Sequence, residues 1–201
     1  MNERKNFHGN EIDSKILAIL KSGGEKHVSG GDLSAALGVS RTAVWKRVHG
    51  LADAGYSIEI QPHLGYRFLS APDLLLPDEI RAKLRTKLVG RRLHCFRETD
   101  STNRIAMGLA SAFEPEGSVV VAESQTAGRG RLGRKWHSPF GKGLWFSAIL
   151  RPDIPPGCAP MLTLMSAVAV ADAVRGKTGL DASLKWPNDV LINGSKVAGV
   201  L

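Results

Sequence analysis

VSGGDLSAALGVSRTAVWKRVHGLADAGY, residues 28–56, decides how the chain begins. Asp32 can cap a short helix running to Leu37, Gly38 permits a tight turn, and Ser40 caps a second helix along Val44, Val48 and Leu51. Two short helices joined by a glycine turn predict a helix-turn-helix. On the second helix Val44, Val48 and Leu51 point one way. Arg41, Thr42, Trp45, Lys46 and His49 share the opposite face, so cations and hydrogen-bonding groups face outward together.

Working upstream, Ile12, Ile16, Ile19 and Leu20 recur at helical spacing after a possible cap at Asn10, and the helix should stop near Gly23-Gly24. Downstream, YSIEIQPHLGYRFL (56–69) alternates into a hairpin turning at His63-Leu64-Gly65, as a wing would. Any one of these cations is most simply a solvated surface charge. Helix, glycine turn, cationic helix and wing in that order favour a winged helix over residues 1–70. Such a module binds DNA with phosphate contacts for affinity and base edges for specificity.

A formal charge of +8 over 201 residues suggests an anionic partner. Residues 1–70 hold nine basic and seven acidic residues while 71–201 hold 18 and 12, so DNA binding by the first part must rest on local placement. With 43% hydrophobic and 23% charged residues, the chain is an ordinary globular one. Cys95 and Cys158 form no CxxC or Cys/His cluster, so neither a disulfide framework nor a structural metal is indicated, and a reducing cytoplasm fits. The polar start MNERKNFHGN lacks the apolar core of a signal peptide, and the apolar stretch near 161–174 is interrupted by Thr163, Ser166 and Asp172, so no membrane partner is expected.

Prolines at 72 and 77 mark a linker over 71–78, with Asp78 capping a helix towards Leu88. Beyond it, LHCFRE (93–98), GSVVVAES (117–124) and LWFSAIL (144–150) read as strands, and DSTNRIAMGLA (100–110) as a capped turn entering a helix. Met161–Val174 reads as a small-residue helix packing on that sheet, and ASLKWPNDVLING with KVAGVL as two strands around a Pro-Asn-Asp turn. The fold class is α+β: an N-terminal winged helix-turn-helix followed by a mixed α/β domain over 79–201.

AGRGRLGRKW (127–136) places three glycines and four cations in ten positions. Glycine lets backbone N–H groups approach a ligand, and arginine presents a planar fork that matches phosphate or carboxylate. The stretch is neither GxxxxGK[ST] nor GxGxxG, which disfavours a hydrolytic nucleotidase. Alone it could equally be a basic surface turn or an RNA-binding segment.

Three motifs in order then carry a resemblance: DSTN (100–103), ESQTAGRGRLGRKWHSPFGKGLWFS (123–147) and KWPNDVLINGSKVAGVL (185–201). With the winged helix in front of them, the chain resembles the bifunctional biotin protein ligases that also act as biotin operon repressors. The resemblance implies biotin and ATP as substrates with Mg²⁺, formation of biotinyl-5′-AMP, and transfer of biotin to a lysine of a biotin carboxyl carrier protein. It places Arg129, Gly130 and Arg131 in a loop over biotin and the phosphate, with Lys185 and Lys196 as further cations. Ser101, Thr102, Asn103 and Gln125 would line the biotin pocket. Trp136 would stack on the adenine, and Asn188 and Asp189 would position the nucleotide or its magnesium.

Operator DNA is the second implied partner, bound by a ligand-promoted homodimer. The family continues the last motif as a strand, so the catalytic domain is expected to be incomplete at Leu201. A lipoate-type ligase and a ligand-sensing regulator without ligase activity are the alternatives. His94, His137 and Cys158 receive no role.

Overall fold

The computed structural model describes residues 6–7 and 10–201, so the reading of the first ten residues as lacking a signal peptide lies largely outside it. The chain forms two compact units. The first runs to Thr126 and adds Ser138–Ile149; the second combines Ala127–His137 with Leu150–Leu201.

In the first unit, α1 (Glu11–Ser22), α2 (Gly30–Leu37) and α3 (Arg41–Asp53) precede a hairpin of β2 (Ser57–Gln61) and β3 (Gly65–Ser70), which is the winged helix expected. Asn10 caps α1 by accepting from the Ile12 N–H at 2.9 Å. Gly38 takes φ 65° between α2 and α3, and Ser40 caps α3. The cap of α2 is Ser29 rather than Asp32. Ser29 is extended, its Oγ accepts from the Asp32 N–H at 3.0 Å and donates to the Asp32 carboxylate at 2.8 Å. Gly30 and Gly31 open the helix, and their weak helix propensity hides its true start.

Ile16, Leu20, Leu33, Val44 and Val48 are fully buried together, which is what the 3.6-residue spacing dictates. The wing turns with His63 at φ 66° and Gly65 at φ 116°. Val28 and Tyr66 exchange backbone hydrogen bonds, each 2.9 Å, tying the wing to the entry of α2.

Helix α4 spans Pro77–Lys83, shorter than expected. Pro77 takes the first helical position, which moves Asp78 inside the first turn, where it accepts from the Ser14 hydroxyl instead of capping. Lys21 Nζ lies 2.6 Å from Glu79 on the same side. The preceding residues alternate: Leu74 and Leu76 enter the winged-helix core, while Leu75 and Ile80 pack with Cys95, Val119 and Val121. The buried Glu123 carboxylate accepts from the Leu75 N–H.

A four-stranded sheet completes this unit in the order β1 (Asn6–Phe7), β4 (Leu93–Phe96), β5 (Val119–Ala122), β6 (Trp145–Ala148). β4 and β5 run parallel, joined through α5 (Thr102–Ser111), and the outer pairings are antiparallel. Val120, Ala106 and Ile149 form the core under α5. His94, which the sequence left without a partner, bonds Glu114 at 3.0 Å; Ser118 donates to the same oxygen, and these bonds, His94 first, hold the Glu114 carboxyl below its ordinary pKa.

Burial pushes the Cys95 thiol up to about 12. Cys158 is half-buried. A thiol reagent at pH 8 should therefore modify one cysteine per native chain, at Cys158, and two after denaturation. Modification of Cys95 in the native protein would contradict the buried placement.

The second unit holds α6 (Ala159–Thr178) and an antiparallel sheet of β7 (Ala182–Lys185), β8 (Asp189–Ile192) and β9 (Ser195–Gly199). Three strands stand where two were expected, because Asn193-Gly194 makes a second tight turn, with φ 50° and 77°. Helix α6 seats on the strands after it, through Ala171 against Ala182 and Val190. By length and composition Pro156–Thr178 could cross a membrane, yet Ala167 and Ala171 are buried within this unit and Asp172 pairs with Arg175.

Candidate functional site

In the first unit, the residues expected around biotin sit where β5 ends and α5 begins. Ser101 and Thr102 are buried and Asn103 is half-buried. Gln125 Oε1 accepts from the Thr102 N–H at 2.8 Å and from the Thr102 hydroxyl at 3.2 Å. The single Thr102 proton is thereby used, so Ser147 donates in the 3.0 Å hydroxyl pair with Thr102. Gln125 Nε2 donates to Ser138 Oγ at 3.0 Å.

This network fixes the amide of Gln125 and turns that residue into a support for the N-terminus of α5. Ser138 and Ser147 were missed in the sequence because they lie 13 and 45 positions from the residues they bond. In the structure β6 alternates in burial and Ser147 faces inward, which no pattern in LWFSAIL signals.

In the second unit, residues 127–137 form a small antiparallel excursion. Trp136 N–H donates to Gly128 at 2.9 Å, Gly130 N–H to Arg134 at 2.7 Å, and Arg129 bridges Lys135. Leu132 and Gly133 turn the tip at φ 57° and 73°. Arg129, Arg131, Arg134 and Lys135 are all exposed, and none forms an ion pair among the described residues. Four exposed cations on one short hairpin concentrate positive charge that a nearby anion would relieve. The Gly130 N–H is already spent inside the loop, so the side chains rather than that amide are the free donors.

Beside it, Lys196 Nζ lies 4.8 Å above the Trp136 ring and 2.6 Å from Asp189 Oδ1. Gly199 closes the other side: a Cβ there would stand 3.0 Å from Lys196 Cε and 3.4 Å from Trp136. Cation, aromatic face and carboxylate are thus held together by strands β8 and β9. The Asn188 side chain is anchored at one end, its Nδ2 donating to the Val200 carbonyl at 2.8 Å. Lys185 is exposed at the end of β7, opposite Asp189 in register.

On α3, Arg41, Thr42, Trp45 and Lys46 are exposed and His49 is half-buried, as the helical spacing requires. The Arg41 guanidinium lies over Gly31, where a Cβ would come within 2.9 Å of it. Arg47 turns inward and reaches Asp13 at 3.5 Å.

Comparison with known proteins finds two family profiles along the chain. The biotin/lipoate A/B protein ligase family matches residues 95–201, and an HTH domain matches 13–67. The bifunctional ligase/repressor BirA of Bacillus subtilis (strain 168) is 45% identical over 186 residues, covering 92% of this chain and 57% of that protein. That of Escherichia coli (strain K12) is 36% identical over 193 residues, covering 96% and 58%. A solved biotin protein ligase from Aquifex aeolicus, in complex with biotin and ATP, overlays with a TM-score of 0.47 at 41% identity, over 55% of this chain and 46% of that one. The chain therefore spans somewhat more than half the length of the curated relatives it matches. With more than half of its residues inside that profile and a helix-turn-helix in front of them, the chain belongs to the biotin/lipoate A/B protein ligase family.

Proposed function

We propose that the protein joins biotin to ATP as biotinyl-5′-AMP, passes the biotin to a lysine of a biotin carboxyl carrier protein, and represses a biotin operon as a ligand-promoted homodimer in the cytoplasm. The observation that carries this reading is that 92% of the chain aligns with a relative named as both ligase and repressor. Residues 1–70 are the DNA-binding part, 71–78 the linker and 79–201 the catalytic part.

In the first step a biotin carboxylate oxygen attacks the α-phosphorus of ATP, and the bond to the bridging oxygen breaks as pyrophosphate leaves. Two anions must meet, so cations that shield both lower the barrier. Arg129 and Arg131 supply guanidinium groups, Gly130 spaces them, and Lys185 and Lys196 supply ammonium groups. Ser101, Thr102, Asn103 and Gln125 shape the biotin pocket, and Trp136 with Asn188 and Asp189 takes the nucleotide. In the second step the carrier lysine attacks the acyl carbon and AMP departs.

No group of three or more His, Cys, Asp or Glu side chains among the described residues could hold a metal ion, and Asp189 is engaged by Lys196. Mg²⁺ would arrive with the nucleotide, beside Asn188 and Asp189, and would shield the charge of its phosphates.

Incubating the full-length protein with labelled biotin, ATP and a carrier domain tests the reading directly. Labelled carrier is expected, and lipoate in place of biotin should give none; preference for lipoate, or no transfer at all, would overturn it. Arg131→Gly should speed release of the adenylate roughly 10- to 100-fold, the loss of one or two charge-assisted bonds. Unchanged dissociation would remove Arg131 from the site. Replacing both Arg41 and Lys46 by alanine should flatten the salt dependence of DNA binding by about two in log–log slope. An unchanged slope would remove both from the phosphate contacts.

A further inference from the structure

Arg41, Trp45 and His49 lie at successive i, i+4 positions of α3, making one row along the exposed face. Eight residues of helix rise span roughly 12 Å, the reach of three to four base-pair steps. The far end of the row is ordered. The Trp45 and His49 rings stack with centroids 4.0 Å apart at a 36° tilt, and Trp45 remains 50% exposed.

The orientation of His49 is also fixed chemically. Its Nδ1 lies 2.9 Å from the Trp45 carbonyl oxygen, and a carbonyl can only accept. Nδ1 therefore carries a proton, which leaves Nε2 as the ring nitrogen able to accept. An aromatic pair with one aimed acceptor differs in kind from the flexible cations beside it. Cations find any phosphate, whereas a fixed acceptor distinguishes one base edge from another.

We propose that Trp45 and His49 are the sequence-reading pair of α3: His49 Nε2 accepts from the exocyclic amine of adenine or cytosine in the major groove, while Trp45 holds the ring and offers an apolar edge to a thymine methyl. Arg41 and Lys46 supply affinity without sequence preference. The assignment rests on the DNA-binding reading of the winged helix and names which of its residues specify the site. The chemistry follows from the groove itself, where adenine and cytosine each present one amine and thymine presents a methyl.

The test is selection of sites from a random duplex library by the full chain, with biotin and MgATP present, followed by amine deletion. At the selected position, purine replaces adenine or 2-pyrimidinone replaces cytosine, removing only the exocyclic amine. The unsubstituted chain should lose about 5- to 10-fold in affinity. His49→Ala should bind both duplexes equally and lose its preference at that base pair, while its salt slope stays unchanged. His49→Gln, which retains an acceptor, should keep a preference there, and it provides a second reading should the alanine variant be unstable. Trp45→Phe should select the parent site and Trp45→Ala a degenerate one. If His49→Ala selects the parent site at every position, the proposal is overturned while DNA binding stands. If the unsubstituted chain selects no site, the DNA-binding reading itself fails, and the pair has nothing to read.

Discussion

Replacing Lys196 by alanine should slow adenylate formation by roughly 10²- to 10³-fold, the usual loss for a group aimed at charge that develops in a transition state. The expectation comes from three contacts. The ammonium sits 2.6 Å from Asp189, 4.8 Å over Trp136 and against Gly199, so it is held in one place and costs little to organise during the reaction. Removing it also leaves the Asp189 carboxylate facing the same anions uncompensated. Asp189→Asn in the Lys196→Ala background should therefore recover part of the rate. Pyrophosphate release measures the step, and a parallel thermal melt separates it from unfolding. A rate within about threefold of the parent would show that this cation takes no part in the chemistry.

Gly65→Ala should unfold the wing. Gly65 adopts φ 116°, and a Cβ would stand 2.1 Å from the Val28 carbonyl oxygen and 2.8 Å from Ser29 Cα. Both obstacles are backbone, and Val28 is itself tied by two hydrogen bonds to Tyr66. Neither strand can shift alone. The cost should be about 4 kcal/mol or more, lowering the melting temperature of the first unit as a whole by on the order of 15 °C. Gly38→Ala provides the contrast, since φ 65° there comes with open space around the Cβ. That change should cost only about 1–2 kcal/mol. Equal effects at the two positions would mean that backbone conformation alone, not the crossing at Val28, sets the penalty.

The winged helix was legible because its signals are local. Asn10, Gly38 and Ser40 act on neighbours within four residues, and the period of Val44, Val48 and Leu51 gives the buried face outright. Misreadings arose where one local signal hid another: Asp32 outweighed Ser29 before two glycines, and Asp78 was displaced by Pro77. In residues 79–201 the motifs were legible but the bonds between their residues were not. Gln125 meeting Thr102, or Lys196 meeting Trp136 across 60 positions, depends on strand register that no short window contains. The second turn at Asn193-Gly194 was legible in principle, since that dipeptide is a strong hairpin signal, but the Pro-Asn-Asp turn drew the reading away from it.

Leu74, Leu75 and Leu76 feed alternate side chains into two different cores, and Glu123 clamps the middle amide. A peptide crossing built this way behaves as an axle set in two bearings. The winged-helix head cannot swivel without pulling leucines into water at both ends, so its orientation is inherited from the sheet it joins. Calorimetry should accordingly register head and sheet melting in a single cooperative peak.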